Sequence, residues 1–211
     1  MERCNAEVAS SVRKINPDQH RQKREDILAA AAHCFARHGF RGASIASICG
    51  EAGISPGHLY HYFESKEDIV EAIADTVVDR AAERFAEAAS GGSVISTLVS
   101  QLEWSLARPG HFGTLLYFDM LAESGRTAGI ARLLHNHHRK LSALLVDLLR
   151  HGQRQGEVEQ SLDLDVTARM LMSVLEGSKT LALGEARRDG PAYIASFSRL
   201  LARFLMPSER A

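Results

Sequence analysis

SIASICGEAGISPGHLYHYFESK, residues 44–66, decides the fold, because its pattern predicts two short helices joined by a tight turn. Apolar side chains recur at helical spacing along both segments, at Ile45, Ile48, Cys49, Leu59 and Phe63. Gly53 lies between the segments, where a short turn needs the positive φ that glycine adopts readily. Ser55 and Pro56 have the pattern of an N-cap and a first helical residue. We therefore expect the second helix to begin at Pro56.

The second helix carries an unusual set of polar side chains. His58, Tyr60, His61 and Tyr62 can donate from imidazole and hydroxyl groups to phosphate oxygens or to base edges in a major groove. Gly57 adds a position where the backbone can approach a phosphate closely. The alternative is that these aromatic residues only pack a small domain, but a three-helix unit needs few core side chains. The pattern thus favours a helix-turn-helix that binds DNA.

Two longer stretches carry a resemblance to a known family. SPGHLYHYFESKEDIVEAI, residues 55–73, resembles the recognition helix and following helix of the tetracycline-repressor (TetR) family of bacterial transcription regulators. REDILAAAAHCFARHGFRGASIASICGEAG, residues 24–53, is similar to the first two helices of that family. The resemblance implies an all-α protein with an N-terminal helix-turn-helix domain and a C-terminal helical domain for ligand binding and dimerisation.

The resemblance also implies roles for single residues. Ser44, Tyr60, Tyr62 and Lys66 would contact phosphates. The groove would be faced by Ser55, Pro56, Gly57, His58 and His61, with the two histidines reaching base edges.

Composition is compatible with this interpretation. A chain of 211 residues can bury a substantial core and hold one small and one larger domain. Its formal net charge is −1, with nine Lys and Arg against seven Asp and Glu in residues 1–66 and sixteen against nineteen in residues 67–211. Without a signal-peptide pattern or a long apolar stretch, we expect a cytoplasmic protein that does not enter the membrane.

The three cysteines do not predict a disulfide scaffold or a zinc site, because their number is odd and their spacing is wrong for a metal. Cys34 and Cys49 occupy apolar helical positions, and we interpret them as small core residues. No catalytic residue, metal site or cofactor is predicted. His135 and His138, one helical turn apart, leave a metal pair as a weaker alternative.

We predict about nine helices and three segments. Residues 1–22 would be a flexible basic tail, interrupted by Pro17, that either adds phosphate or minor-groove contacts or is a solvated leader. Residues 23–67 would form the DNA-binding domain and residues 68–211 the ligand-binding and dimerisation domain. The first long helix of the larger domain would begin with a capping box of Ser65 and Asp68.

The last two helices, near residues 165–183 and 191–204, carry more apolar surface than one core contact needs. We expect two such helices from each of two chains to form a four-helix dimer interface, as in the resembled family, although a monomeric core would use the same residue types. The residues assigned to that interface are Met170, Val174, Leu181, Ile194, Phe197, Leu201 and Phe204.

A ligand cavity is expected between the DNA-binding domain and the dimer interface. Its predicted lining is Trp104, Phe112, Leu116, Tyr117, Met120, His138, Met172 and Glu176. Pockets and cores draw on the same residue types, so each of these could instead be core. Glu176 stands out because its helix is otherwise apolar, with a Glu176–Lys179 surface pair as the alternative.

Together these features predict a homodimeric repressor that a moderately hydrophobic small molecule releases from a palindromic DNA operator. An activator would use the same residues, since the sign of regulation depends on where the operator lies. A helical carrier or enzyme with a vestigial DNA domain is the third possibility, although no nucleophile-base pair or phosphate-binding loop is present in the sequence.

Overall fold

The computed structural model describes residues 16–89, 91–106, 112–181 and 190–207, and every regular element within these ranges is an α-helix. The all-α prediction is confirmed. No helix in the described ranges is long and apolar enough to cross a membrane. In chain order the helices are α1 Pro17–Gly42, α2 Ile45–Ala52, α3 Pro56–Tyr60, α4 Lys66–Ala89, α5 Val94–Leu106, α6 Phe112–Ser124, α7 Ala128–Arg154, α8 Leu164–Leu181 and α9 Gly190–Leu205.

The helix-turn-helix forms for the local reasons that its sequence indicates. Gly53 ends α2 with φ at 61°, in the left-handed region. The Ser55 side chain accepts a hydrogen bond from the backbone N–H of His58 at 3.3 Å, and Pro56 begins α3 as predicted. Ser44 caps α2 in a reciprocal pair with Ser47. These caps fix the angle at which α3 leaves the turn.

The first helix is longer than predicted and takes in part of the supposed tail. It begins at Pro17, and the Asn16 side chain caps it by accepting from the N–H of Asp18 at 3.0 Å. A proline at the first helical position has no N–H to lose, so Pro17 starts the helix rather than interrupting it. Residues 17–22 therefore belong to α1. Residues 1–15 lie outside the described residues.

The predicted capping box of α4 is only half formed. The Ser65 hydroxyl accepts from the N–H of Asp68 at 3.1 Å, as expected. The Asp68 carboxylate, however, accepts from the N–H of Glu64 at 3.2 Å and not from that of Ser65. The cap thus reaches one residue further back and ties the end of the helix-turn-helix to α4.

Two apolar cores hold the helices together. The first joins the helix-turn-helix to α6 and α7, since Phe40 and Leu59 share it with Leu116, Met120 and Ile130. The second packs α5, α7, α8 and α9 around fully buried Leu98, Leu149 and Leu201. The first core therefore contains residues from both sides of the predicted domain boundary after residue 67, and the two predicted domains share it.

The N-terminus of α5 is held by groups on the loop after α7. The Glu157 carboxylate accepts from the N–H groups of Val94 at 2.8 Å and Ile95 at 3.2 Å, and also from the Ser93 hydroxyl. Gly152 on α7 allows this approach, because a Cβ there would lie 2.5 Å from Cγ2 of Val158. The start of α5 therefore packs closely against the C-terminal part of α7.

Candidate functional site

The outer surface of α3 brings together most of the residues predicted to contact DNA. Ser44, Ser55, Pro56, Gly57, His58, Tyr60 and His61 are all exposed. Tyr60 is 53% exposed although it is large and aromatic, which leaves its hydroxyl free for a partner outside the chain. The apolar Leu59 on the opposite side is fully buried. The helix therefore presents two histidines and a tyrosine to solvent in a fixed orientation.

Tyr62 lies at the edge of this surface, within a group of stacked rings. Its ring centroid is 4.6 Å from that of His20 on α1 and 5.5 Å from that of His58. The His61 ring stands edge-on to Tyr62 at 5.6 Å. Tyr62 is half-buried and also packs against the first core. His20 is not among the predicted site residues, because it lies within residues 1–22, the predicted tail.

Lys66 has a structural role that the sequence did not indicate. Its ammonium donates to the backbone carbonyls of Phe40 at 2.5 Å and Ala43 at 2.9 Å, and it lies 4.3 Å from the centre of the Phe40 ring. Two of its three ammonium hydrogens are thus used at the C-terminal end of α1. Only the third is available for the predicted phosphate contact.

A cavity of about 170 Å³ lies among α4, α5, α6, α7 and α8. Six of the eight predicted ligand residues line it, namely Trp104, Leu116, Tyr117, Met120, Met172 and Glu176. The Phe112 side chain lies outside the described residues. His138 does not line the cavity; its neighbour His137 does, because the two side chains point about 100° apart on α7.

One end of the cavity is polar and was only partly predicted. Nε2 of His138 lies 3.0 Å from Oε1 of Glu176 and 3.4 Å from the Tyr117 hydroxyl. Lys179 places its ammonium 4.0 Å from the centre of the Tyr117 ring. A surface pair of Glu176 and Lys179 was the alternative prediction, whereas the structure puts both residues in the cavity wall.

Burial and neighbouring charges shift the titration of these groups. Burial lowers the pKa of His137 to about 4, helped by the charges of Lys179 and His138. Burial also lowers the pKa of Lys179. For Glu176, burial acts to raise the pKa, but His138 and Tyr117 outweigh it and the pKa is lowered. Near neutral pH, the cavity therefore holds a carboxylate, an ammonium and a neutral imidazole.

Arg84 on α4 and Gln101 on α5 form a second, smaller polar group beside the cavity. Arg84 donates from Nε and Nη2 to the Gln101 side-chain oxygen at 3.0 and 2.6 Å, and its guanidinium carbon lies 5.2 Å from the centre of the Trp104 ring. Gln101 and Trp104 line the cavity together with Arg80. Burial lowers the pKa of Arg84. The two polar groups differ, since among the described lining residues the carboxylate belongs to the group on α8.

Helix α6 contacts the cavity with one face and the helix-turn-helix with another. Leu116, Tyr117 and Met120 line the cavity. Asp119, on the other face, accepts a hydrogen bond from the backbone N–H of Phe40. The Glu123 carboxylate pairs with Arg41 and also accepts from the Thr127 hydroxyl at 2.6 Å. A displacement of α6 would therefore be felt at the C-terminal end of α1.

The residues predicted for a dimer interface differ in their exposure. Met170 is 52% exposed and Val174 is 38% exposed, on a face of α8 that also carries exposed Val166. Phe197 and Leu201, also predicted for that interface, are buried in the second core. Ile194 and Phe204 are half-buried at the edge of the same core, and the Leu181 side chain lies outside the described residues.

Cys34 and Cys49 are buried in the first core, as expected, and burial raises the pKa of both thiols. Among the described residues, no three His, Cys, Asp or Glu side chains converge as a metal site would require.

Comparison with known proteins identifies both parts of the chain. The family model "Bacterial regulatory proteins, tetR family" matches residues 27–73, and the model "BetI-type transcriptional repressor, C-terminal" matches residues 105–205. The regulator UidR of Escherichia coli K12 is 31% identical over 83% of this chain and 87% of its own length. The repressor KstR2 of Mycolicibacterium smegmatis is 26% identical over 74% of this chain and 77% of its own. The solved structure of Salmonella enterica GusR, 30% identical, superposes with a TM-score of 0.69 over 85% of this chain and 95% of its own.

Proposed function

This chain belongs to the TetR family of bacterial transcriptional regulators, and on that premise we propose that it is a homodimeric repressor that a small molecule releases from a palindromic operator. The observation that carries the proposal is the double contact of α6, which reaches the cavity through Tyr117 and Met120 and the helix-turn-helix through Asp119 and Glu123. Regulators of this family bind DNA and small-molecule effectors. The name of KstR2 as a repressor favours repression over activation.

In this proposal α3 is the recognition helix, within a DNA-binding domain that extends to residue 67. His58 and His61 read base edges, while Ser44, Tyr60 and Tyr62 contact phosphates, with a lesser contribution from Lys66. The exposure of His58, Tyr60 and His61 supports this assignment. A regulator of this kind acts on chromosomal DNA, so we place it in the cytoplasm.

Dimerisation would use the exposed apolar face of α8 together with the outer face of α9. Val166, Met170 and Val174 supply the first, and Leu200 supplies the second, beside a groove lined by Phe204. Large exposed apolar side chains on adjoining helices are typical of a protein interface. A twofold axis through this surface would present two recognition helices to half-sites about one DNA turn, ~34 Å, apart.

Release would follow from a ligand that prefers one position of α6. A ligand in the cavity contacts Leu116, Tyr117 and Met120, so its binding energy can favour a shifted helix. The shift would move Asp119 and Glu123 and, through them, Phe40 and Arg41. Because the same shift occurs in both subunits, the spacing of the recognition helices would change for both half-sites together.

The test is fluorescence anisotropy with DNA from upstream of the gene, titrated at several salt concentrations beside a scrambled duplex. We expect saturable binding of two subunits per palindrome, much tighter than to the scrambled control. His61→Ala and Tyr60→Phe should weaken the specific complex, and His135→Ala, an exposed histidine on α7, should not. Equal, weak and purely salt-governed binding to both duplexes would count against the proposal.

A further inference from the structure

We propose that the effector is an organic anion of a defined kind: a carboxylate with a hydroxyl group beside it, on an apolar body of about one aromatic ring. The carboxylate would be bound by Lys179 and the hydroxyl by Glu176. This inference rests on the proposed function, since it takes the cavity to be the effector site. It adds the chemical class of the ligand, which neither the lining residues alone nor the relatives specify.

Lys179 supplies the first argument. Its ammonium faces the cavity above the Tyr117 ring, at 4.0 Å, and makes no hydrogen bond or ion pair with another described residue. An ammonium group has three donors, and removing it from water without acceptors is costly. Burial lowers the Lys179 pKa for this reason. A ligand carboxylate beside the ammonium would supply both an opposite charge and acceptors.

Glu176 and His137 supply the second argument. Oε1 of Glu176 and Nδ1 of His137 are buried and have no aligned hydrogen-bond partner among the described residues, although His138 stands close to Glu176. His137 is only 9% exposed. Glu176 lies one helical turn before Lys179 on α8, so the two side chains project from the same side. A ligand hydroxyl could donate to the carboxylate while the adjacent ligand carboxylate accepts from the ammonium.

The charges around the cavity argue against a cationic effector. Arg80 and Lys179 line the cavity with positive charge, whereas Glu176 supplies the only carboxylate among the described lining residues. His138 already faces that carboxylate, and the Arg84 guanidinium lies beside the ring of Trp104 in the lining. The Tyr117 ring face, which could hold a quaternary ammonium, is already covered by Lys179. A bound cation would therefore compete with Lys179 for the Tyr117 ring and meet the like charges of Arg80 and Lys179.

The rest of the lining limits the body of the ligand. Val77, Leu134, Leu141 and Met172 supply apolar side chains to the lining, together with the Trp104 ring. The volume of about 170 Å³ is close to that of engineered apolar cavities, ~150 Å³, that bind benzene. One ring fits such a space, and the polar head then lies at the α8 end.

The test uses four probes with one body: 3-phenyllactate, 3-phenylpropionate, 3-phenylpropan-1-ol and (3-phenylpropyl)trimethylammonium. Dissociation constants are measured by isothermal titration calorimetry on the full chain, with operator anisotropy in parallel. We expect 3-phenyllactate to bind most tightly, then 3-phenylpropionate, with the alcohol and the ammonium compound at least about tenfold weaker, the factor that one charge-assisted hydrogen bond supplies.

Two substitutions separate the two contacts. Lys179→Met should weaken both acids by about tenfold and leave the alcohol unchanged. Glu176→Leu should reduce 3-phenyllactate to the affinity of 3-phenylpropionate without weakening the latter. Lys140→Met, which removes an exposed cation paired with Asp75, controls for the change of net charge. Thermal melts check folding, and Lys179→Gln repeats the test if the methionine variant is unstable.

Several results would overturn the inference. These are equal or tighter binding of the alcohol or the ammonium compound, no binding of either acid, or an acid preference that survives both Lys179 substitutions. The parallel readouts keep the two proposals apart. Specific operator binding without an acid preference rejects only the effector class, whereas acid binding by a protein that ignores its operator rejects only the regulator mechanism.

Discussion

Arg41, near the end of α1, and Glu123, near the end of α6, form a two-point ion pair with N–O distances of 2.7 and 2.8 Å. The two side chains differ in exposure, at 68% for Arg41 and 8% for Glu123. Hydrogen bonds from Arg41 and Thr127 lower the pKa of Glu123 to about 2. The buried Glu123 carboxylate is therefore held in place by its hydrogen bonds, and Arg41 is the residue of α1 that binds it.

Glu123→Ala should weaken communication between cavity and operator more than it weakens ligand binding, because the residue contacts Arg41 and does not line the cavity. We expect a lower melting temperature, an unchanged ligand dissociation constant and a smaller effect of ligand on operator affinity. Asp147→Ala breaks the exposed Arg150–Asp147 pair and is the matched control. Full release of the operator by ligand in the Glu123 variant would show that the signal takes another route.

His137 should make the fold sensitive to mild acid. Its pKa falls from 6.5 to about 4 on folding, so the unfolded chain takes up a proton first. The stability due to neutral His137 is present above about pH 6.5 and is lost as the pH falls towards about 4, by at most ~3 kcal/mol. The free energy of unfolding of His137→Leu, measured by urea denaturation across this pH range, should fall less than that of the parent protein.

His135→Leu is the control for that experiment, since His135 is exposed on the same helix. It should retain the acid-dependent loss of the parent protein. Parallel pH profiles for the parent and His137→Leu would mean that other groups cause the loss. Lys179, His138, Glu176 and Asp75 are the charged groups that act on His137.

Gly152→Ala should destabilise the protein by about 1–3 kcal/mol, because the added Cβ would overlap Val158 at 2.5 Å and Val94 at 2.8 Å. Gly129→Ala, on the same helix with no atom within 4 Å, should be neutral or slightly stabilising. Chemical denaturation measures both. Combining Gly152→Ala with Val158→Ala should cost less than the sum of the single changes, and strict additivity would contradict the overlap.

Met170→Glu should convert the proposed dimer to a monomer by placing a charge on the exposed face of α8. Leu121→Glu introduces the same charge at a similarly exposed position on α6 and should leave the dimer intact. Sedimentation velocity distinguishes the two masses. A monomeric parent protein, or a dimer that tolerates Met170→Glu, would move the interface elsewhere.

Local signals made the helix-turn-helix predictable. Gly53, Ser55 and Pro56 determine a turn, a cap and a first helical residue from their own conformational preferences, and the structure has each at that position. Pro17 carried the same kind of signal, and the error was to interpret it as a break. A proline can begin a helix as well as interrupt one. The capping residue Asn16 directly before Pro17 indicates that a helix begins here.

The cavity lining and the dimer surface were harder to predict from the sequence, because they depend on how the helices pack against one another. His137 and His138 are adjacent in sequence, and only the packing of α7 against α8 selects His137 for the cavity. For Glu176 and Lys179 a surface pair remained an alternative, since lysine is rarely buried, and only the packing of α8 places both side chains in the cavity wall. On α9, Phe197 and Leu201 form an apolar stripe that fits either a second subunit or the protomer core, and α5 covers it.

The shared first core also bears on how such regulators can be recombined. Phe40 and Leu59 pack with Leu116, Met120 and Ile130. A DNA-binding domain truncated at residue 67 would therefore expose apolar surface, and so would the remaining C-terminal part. A chimeric protein that joins this DNA-binding domain to the ligand-binding domain of another regulator would need to keep α6 and the start of α7. Otherwise, the helices of the other ligand-binding domain would have to reproduce the same packing. Exchanging only the exposed residues of α3 would change the DNA sequence that the proposed repressor binds and would leave this shared core unchanged.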